Sequence, residues 1–326
     1  VTGVIAGEFI SAGNKPDKPV PAEDKPDYWL APSLHRDNIL EGEERKLVVF
    51  GEDIIAHTAR YFGPQGSLQQ TTNGMNCQNC HLNAGKQAWG NNYGAVFSTY
   101  PKFRDRSGSV ETIPKRVKDC FERSLNGKAL DTTSREIKAI VAYIKWLGQD
   151  VAKGEKPKGS GITEVPYLDR AASPENGAIV YTQKCQSCHG ANGEGLKDAS
   201  GVSYAYPPLW GEHSYNSGAG LFRLSRLAGY VKDNMPFNQS THSSPALTNE
   251  EAWDVAAFVN SRPRPSKDLS GDWPDISKKP VDHPFGPYDD GFSEQQHKFG
   301  PFKPIVEARK KQKEEKEKAQ KNIAKN

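Results

Sequence analysis

No stretch of the 326 residues reaches eighteen consecutive apolar side chains, so no segment reads as a membrane-spanning helix. An excess of one charge is also missing. The 43 Lys and Arg are interleaved with 40 Asp and Glu, and the formal net charge of +3 argues against nucleic acid or an anionic membrane as main partner. A local basic site remains compatible with it. The five cysteines are an odd number and suit a disulfide framework poorly. Methionine is scarcer still, with Met75 and Met235 alone. The opening VTGVIAGEFISAG lacks the basic start and apolar centre of an export signal, and it reads as the remnant of one on a mature, exported, periplasmic chain. At 35% hydrophobic and 25% charged residues, the composition is that of a soluble globular protein of about two domains.

Four of the cysteines form CQNCH and CQSCH, at Cys77, Cys80 and His81 and again at Cys185, Cys188 and His189. Thioether attachment of a porphyrin needs two thiols one helical turn apart, followed at once by an imidazole that reaches the iron. Both motifs meet that demand, so the expected cofactors are two covalently attached haem c groups. A zinc site or a redox dithiol is the alternative, and the histidine after each pair weighs against both.

The chain around these motifs is organised as a repeat. Residues 1–42 are rich in proline, lysine and aspartate and read as an extended arm anchored by Tyr28 and Trp29. Residues 43–150 form a first haem module. It begins with Leu47, Ile54, Ile55 and Tyr61 at helical spacing and closes with a helix presenting Ile137, Ile140, Val141, Ile144 and Leu147 before Gly148. A linker, residues 151–164, has almost nothing to bury. The pattern restarts in residues 165–265, whose closing helix carries Trp253, Ala256, Ala257 and Val259. Residues 266–326 are an extension ending in a charged, solvated helix or tail. The expected fold is mainly α: two tandem cytochrome c-type haem domains with a wrapping arm and a C-terminal extension. Each closing helix is expected to open with a capping box, Thr133 with Glu136 and Thr248 with Glu251.

The repeat suggests the sixth iron ligands. Met235 stands thirteen residues before Thr248, and Cys120 thirteen before Thr133, so the two occupy matching places. Met75, beside Cys77, is on the wrong side to serve its own haem. A thioether raises a haem's potential and a thiolate lowers it, which would make the first haem the low-potential centre and the second the exit for electrons. In TIPKRVKDCFERSLNG, Pro114 suits a first helical turn, and Arg116, Cys120 and Ser124 fall on one face. Arg123 lies beside them and Arg104 and Arg106 just upstream. Four arginines would favour the thiolate and hold an oxyanion.

The sequence at this point resembles the thiosulfate dehydrogenases, dihaem cytochromes that form tetrathionate. The resemblance rests on NGMNCQNCHLNAG, RDRSGSVETIPKRVKDCFERSLNGKAL, CQSCHG and GLFRLSRLAGYVKDNMP, with PDYWLAP in the arm. It covers most of the chain from Pro26 to Arg264. The Cys120 segment discriminates, because CxxCH marks any c-type cytochrome. The resemblance implies the coupling of two thiosulfates to tetrathionate at a haem with a cysteine ligand, in a direction set by the potentials. Cys120 would be that ligand and Met235 the ligand of the electron-transferring haem, with Arg106, Arg116 and Ser124 around the substrate. A small soluble electron carrier such as a cytochrome c would take the electrons. Some relatives place a lysine near the methionine, but here Asn234 precedes Met235 and the nearest lysine is Lys232. The rivals are a non-catalytic carrier, with His57 or His35 as distal ligand, a Sox-pathway cytochrome and a dihaem peroxidase.

Overall fold

The computed structural model describes residues 26–33 and 41–323. The first 25 residues, and with them most of the arm, lie outside that range, as does His35. The chain is helical with two small hairpins. In the first half run α1 (Gly42–Ala56), α2 (Thr58–Phe62), α3 (Leu82–Gly85), α4 (Val96–Thr99), α5 (Ile113–Arg123) and α6 (Arg135–Leu147). Between α4 and α5, β1 (Lys102–Arg104) pairs antiparallel with β2 (Ser109–Glu111). The second half contributes α7 (Pro174–Lys184), α8 (Gln186–His189), α9 (Leu224–Asn234) and α10 (Asn249–Ser261), with β3 (Leu196–Lys197) paired to β4 (Tyr204–Tyr206). The extension adds α11 (Glu294–Phe299) and α12 (Lys303–Ile323). Among the described residues no helix is long and apolar enough to cross a membrane.

Each half is built on a crossing of its opening and closing helices. α1 meets α6 at Gly51, where an added Cβ would collide with the Ala139 carbonyl. α7 meets α10 at Gly177, where it would collide with the Asp254 carbonyl. Glycine at both points lets two backbones touch. The repeat seen as two haem motifs is therefore also a repeat of this crossing. Ile54, Ile55, Ile137, Ile140, Tyr143 and Ile144 bury the first interface, and Trp253, Val255, Ala256 and Ala257 the second. Val141, expected on the inner face of α6, is only partly buried.

The cap of α6 differs from expectation. Its N-cap is Ser134, whose Oγ accepts from the Ile137 amide at 3.2 Å, while Thr133 turns its hydroxyl to Asp131. At α10 the expected box is present: Thr248 and Glu251 each accept from the other's amide. The caps are thus offset by one position: Asp131 accepts from both the amide and the hydroxyl of Thr133 and holds that residue in the turn before the helix.

Three parts of the chain join what the sequence separates. Trp29 is buried against Gly94 and donates its amide to the Lys158 carbonyl, and Tyr28 packs on Trp89 at 4.7 Å. The linker is no free spacer: Gly159 and Gly161 carbonyls accept from the Trp89 and Asn91 amides. The extension ties into both halves. Asp272 pairs with Arg106 and Arg123, Asp282 with Arg223, and Phe299, Phe302 and Ile305 complete the second core. Past that anchor, α12 is exposed and highly charged.

Candidate active site

Both CxxCH segments close on themselves in the same way. The His81 amide donates to the Cys77 carbonyl and the His189 amide to the Cys185 carbonyl, each at 3.0 Å. One turn therefore carries both thiols and the imidazole. The Cys77 amide is held by the Thr58 hydroxyl at 3.0 Å. Each ring is oriented by a backbone acceptor: His81 Nδ1 lies 2.5 Å from the Asn91 carbonyl and His189 Nδ1 2.9 Å from the Pro207 carbonyl. A carbonyl only accepts, so the proton sits on Nδ1 and Nε2 is left as a lone pair. Burial lowers the pKa of both rings, that of His81 to about 4. Two neutral imidazoles presenting Nε2, each behind two thiols, fit covalently held haem iron in both halves.

The first of these sites opens into a cavity of about 440 Å³. Cys77, Cys80 and His81 form part of its wall, and Arg116 and Cys120 of α5, with Ser124 at its C-cap, form another part. The i, i+4, i+8 face of α5 read from the sequence thus turns inward as a unit. Thr112 caps this helix and Pro114 occupies its first turn. Arg116 is held above its usual range chiefly by the neighbouring Cys120 sulfur, and it makes no salt bridge to a carboxylate among the described residues.

The other arginines lie elsewhere. Arg123 grips Asp272 through two bonds of 2.9 and 2.8 Å, and Arg106 donates to the same carboxylate at 2.8 Å and to the Gly218 carbonyl at 2.9 Å. Neither lines the cavity. Arg104 faces Glu111 at 3.8 Å across the first hairpin. The expected cluster of four arginines, and Arg106 as a substrate contact, are corrected accordingly: Asp272, distant in sequence, neutralises two of them. The cavity draws its remaining cations from places the sequence did not mark, namely Lys102, Lys156 of the linker and Arg226 of α9. Burial, then repulsion from Arg104, Lys156 and Arg116, lowers the pKa of Lys102. Glu164 is the one carboxylate on the described wall.

Met75 also lines this cavity, at 2% exposure. His57, a rival ligand, stands at the junction of α1 and α2 beside Asp53 and off the cavity wall. In the second half, Met235 caps the end of α9, its amide on the Val231 carbonyl. Cys120 instead lies within α5, three residues before its last residue Arg123. The matching places inferred from the caps are therefore approximate. Lys232 donates to the Leu247 carbonyl at 3.2 Å.

Residues 67–152 match the family described as SoxA/TsdA, cytochrome c domain, and residues 174–263 match cytochrome c. The thiosulfate dehydrogenase of Allochromatium vinosum is 40% identical over 197 residues, which are 59% of this chain and 71% of the relative. That of Stutzerimonas stutzeri is 34% identical over 68% of each chain. The chain belongs to the thiosulfate dehydrogenase family. That of Psychrobacter arcticus is 41% identical over 62% of this chain, and the match spans only 60% of the relative's length. The solved thiosulfate dehydrogenase (TsdBA) of Marichromatium purpuratum superposes with a TM-score of 0.67 at 32% identity, over 74% of this chain and half of that one. As in that family, two cytochrome c domains carry two covalently attached haem c groups. Family and fold make the chain a dihaem c-type cytochrome.

Proposed function

We propose that this protein couples two thiosulfates to tetrathionate in the periplasm and passes the two electrons to a small soluble carrier such as a cytochrome c. The observation that carries the reading is the presence of Cys120 and Arg116 on the wall of the cavity that also holds Cys77, Cys80 and His81. A family resemblance names the substrate, and this cavity supplies a sulfur nucleophile beside a guanidinium that forms no salt bridge among the described residues.

In this reading Cys77 and Cys80 would attach the first haem, and His81 and Cys120 would hold its iron. Cys185 and Cys188 would attach the second, whose iron His189 and Met235 would hold. When bound, the two haems supply a pair of one-electron acceptors, which is the number the coupling releases. Arg116, with Lys102, Lys156 and Arg226 around the cavity, offsets the repulsion of bringing dianions to one place. Ser124 offers a hydroxyl to a sulfonate oxygen. Arg106 falls outside this set, since Asp272 holds it.

Cys120 acts in two steps. Its thiolate forms an S–S bond to the sulfane sulfur of one thiosulfate with release of two electrons, leaving a cysteine S-thiosulfonate. A second thiosulfate then attacks that sulfane sulfur, tetrathionate forms, and Cys120 leaves as the thiolate. The charges balance without a proton transfer.

The test is an assay of purified, fully haem-loaded protein with thiosulfate and ferricyanide, looking for tetrathionate. Wild-type chain should form it, and Cys120→Gly should keep both haems yet lose turnover. Product from the glycine variant would sink the mechanism, and no product from either would favour a plain electron carrier.

A further inference from the structure

The last turn of α9 is fastened to the first half of the chain by the residue next to Met235. Asn234 is 2% exposed. Its Nδ2 donates to the Trp89 carbonyl at 3.1 Å and to the Tyr230 carbonyl at 2.9 Å, and its Oδ1 accepts from Gln87 Nε2 at 3.0 Å. Two of these three bonds cross between the halves. Only a primary amide of this length donates twice and accepts once at that spot. The preceding residue is tied in the same direction: Asp233 accepts from the Thr163 hydroxyl of the linker and faces His242 Nδ1 at 3.1 Å. His242 in turn stacks on Trp89 with centroids 4.1 Å apart. One turn earlier, the Tyr230 hydroxyl donates at 3.0 Å to the carbonyl of Asn79, which lies between Cys77 and Cys80.

The loop that receives Asn234 also orients His81. Asn91, whose carbonyl holds His81 Nδ1, is two residues beyond Trp89. A single short segment therefore orients the imidazole at the first haem site and holds the side chain of the residue that precedes Met235. We propose that Asn234 is a positioning residue through which this loop sets the ligation of the second haem, so that the two haems are coupled mechanically as well as electronically. The inference rests on Met235 as that haem's axial ligand.

The experiment uses the full-length dihaem protein and three variants, Asn234→Ala, Gln87→Ala and Met235→Leu. Two signals are read: the charge-transfer band between methionine sulfur and ferric iron, and the midpoint potential of the second haem in an optical redox titration. Asn234→Ala should weaken or abolish the band and lower that midpoint, because a loosened thioether no longer favours ferrous iron. Gln87→Ala should shift both in the same direction and by less, although it lies 147 positions from Asn234. Gln87 is only half-buried, so this variant decides the matter if Asn234→Ala fails to take up haem. A band and midpoint unmoved in Gln87→Ala, with or without a lower melting temperature, would overturn the proposal. Survival of the band in Met235→Leu would instead overturn the ligand assignment, which separates the two failures.

Discussion

Arg116 and Arg106 look alike in the sequence, ten positions apart in one basic segment, and the fold gives them different work. Arg116 faces Cys120 in the cavity, whereas Arg106 is neutralised by Asp272. Arg116→Gln should therefore lower kcat/KM for thiosulfate by roughly tenfold or more, the loss expected for one charged contact to an oxyanion. Arg106→Gln should leave KM near wild type and lower the melting temperature. Steady-state kinetics beside thermal melts distinguish the two. Asp272 forms one ion group with Arg106 and Arg123. Burial alone would raise its carboxyl, but the hydrogen bond from Arg123 and the charges of Arg106 and Arg123 outweigh it and hold the pKa below the usual value. Its stabilisation is thus present above about pH 4 and is lost as pH falls through the folded value. Asp272→Ala should cost about 3 kcal/mol or more at neutral pH, because two nearly buried guanidiniums lose their partner. Urea titrations at neutral and acid pH should show that difference shrinking on the acid side.

Elements carry the next set of consequences. The helix crossings at Gly51 and Gly177 leave no room for a methyl group, so Gly51→Ala and Gly177→Ala should each destabilise by about 1–3 kcal/mol. Following the Soret band of each haem during unfolding should show the first substitution acting on the first site and the second on the other. At α6 the cap is Ser134, so Ser134→Ala should cost about 1 kcal/mol and Thr133→Ala clearly less. Equal effects in denaturant melts would favour the cap expected from the sequence. The opening and closing helices were legible because apolar residues recur at helical spacing, as in Ile137, Ile140 and Ile144, whereas α9 was not read from the sequence. The one-residue shift of the cap was not, because Thr133 and Ser134 are both good cap residues and only the position of Asp131 separates them.

On the scale of the whole molecule, the extension is two things in sequence. Up to Ile305 it is structural, supplying Asp272, Asp282 and three buried apolar side chains, and beyond Arg309, which pairs with Asp290, it is exposed helix. A chain ending after Lys310 should melt as wild type, whereas one ending after Arg264 should lose several degrees or fail to retain haem. Circular dichroism and haem content measure both. What residue order alone determined was whatever depends on neighbours along the chain: two CxxCH turns, two helix-bounded modules, and the face of α5 that bears Arg116, Cys120 and Ser124. Thiol spacing and helical period are local geometry, so they survive without a fold. Which charges remain free around Cys120 was decided only in three dimensions. Asp272 removes Arg106 and Arg123, while the linker and α9 bring in Lys156 and Arg226 from positions that no local pattern connects to Cys120. Electrostatics acts through space, and the pairing of one carboxylate with two guanidiniums across roughly 150 residues is a property of the packing.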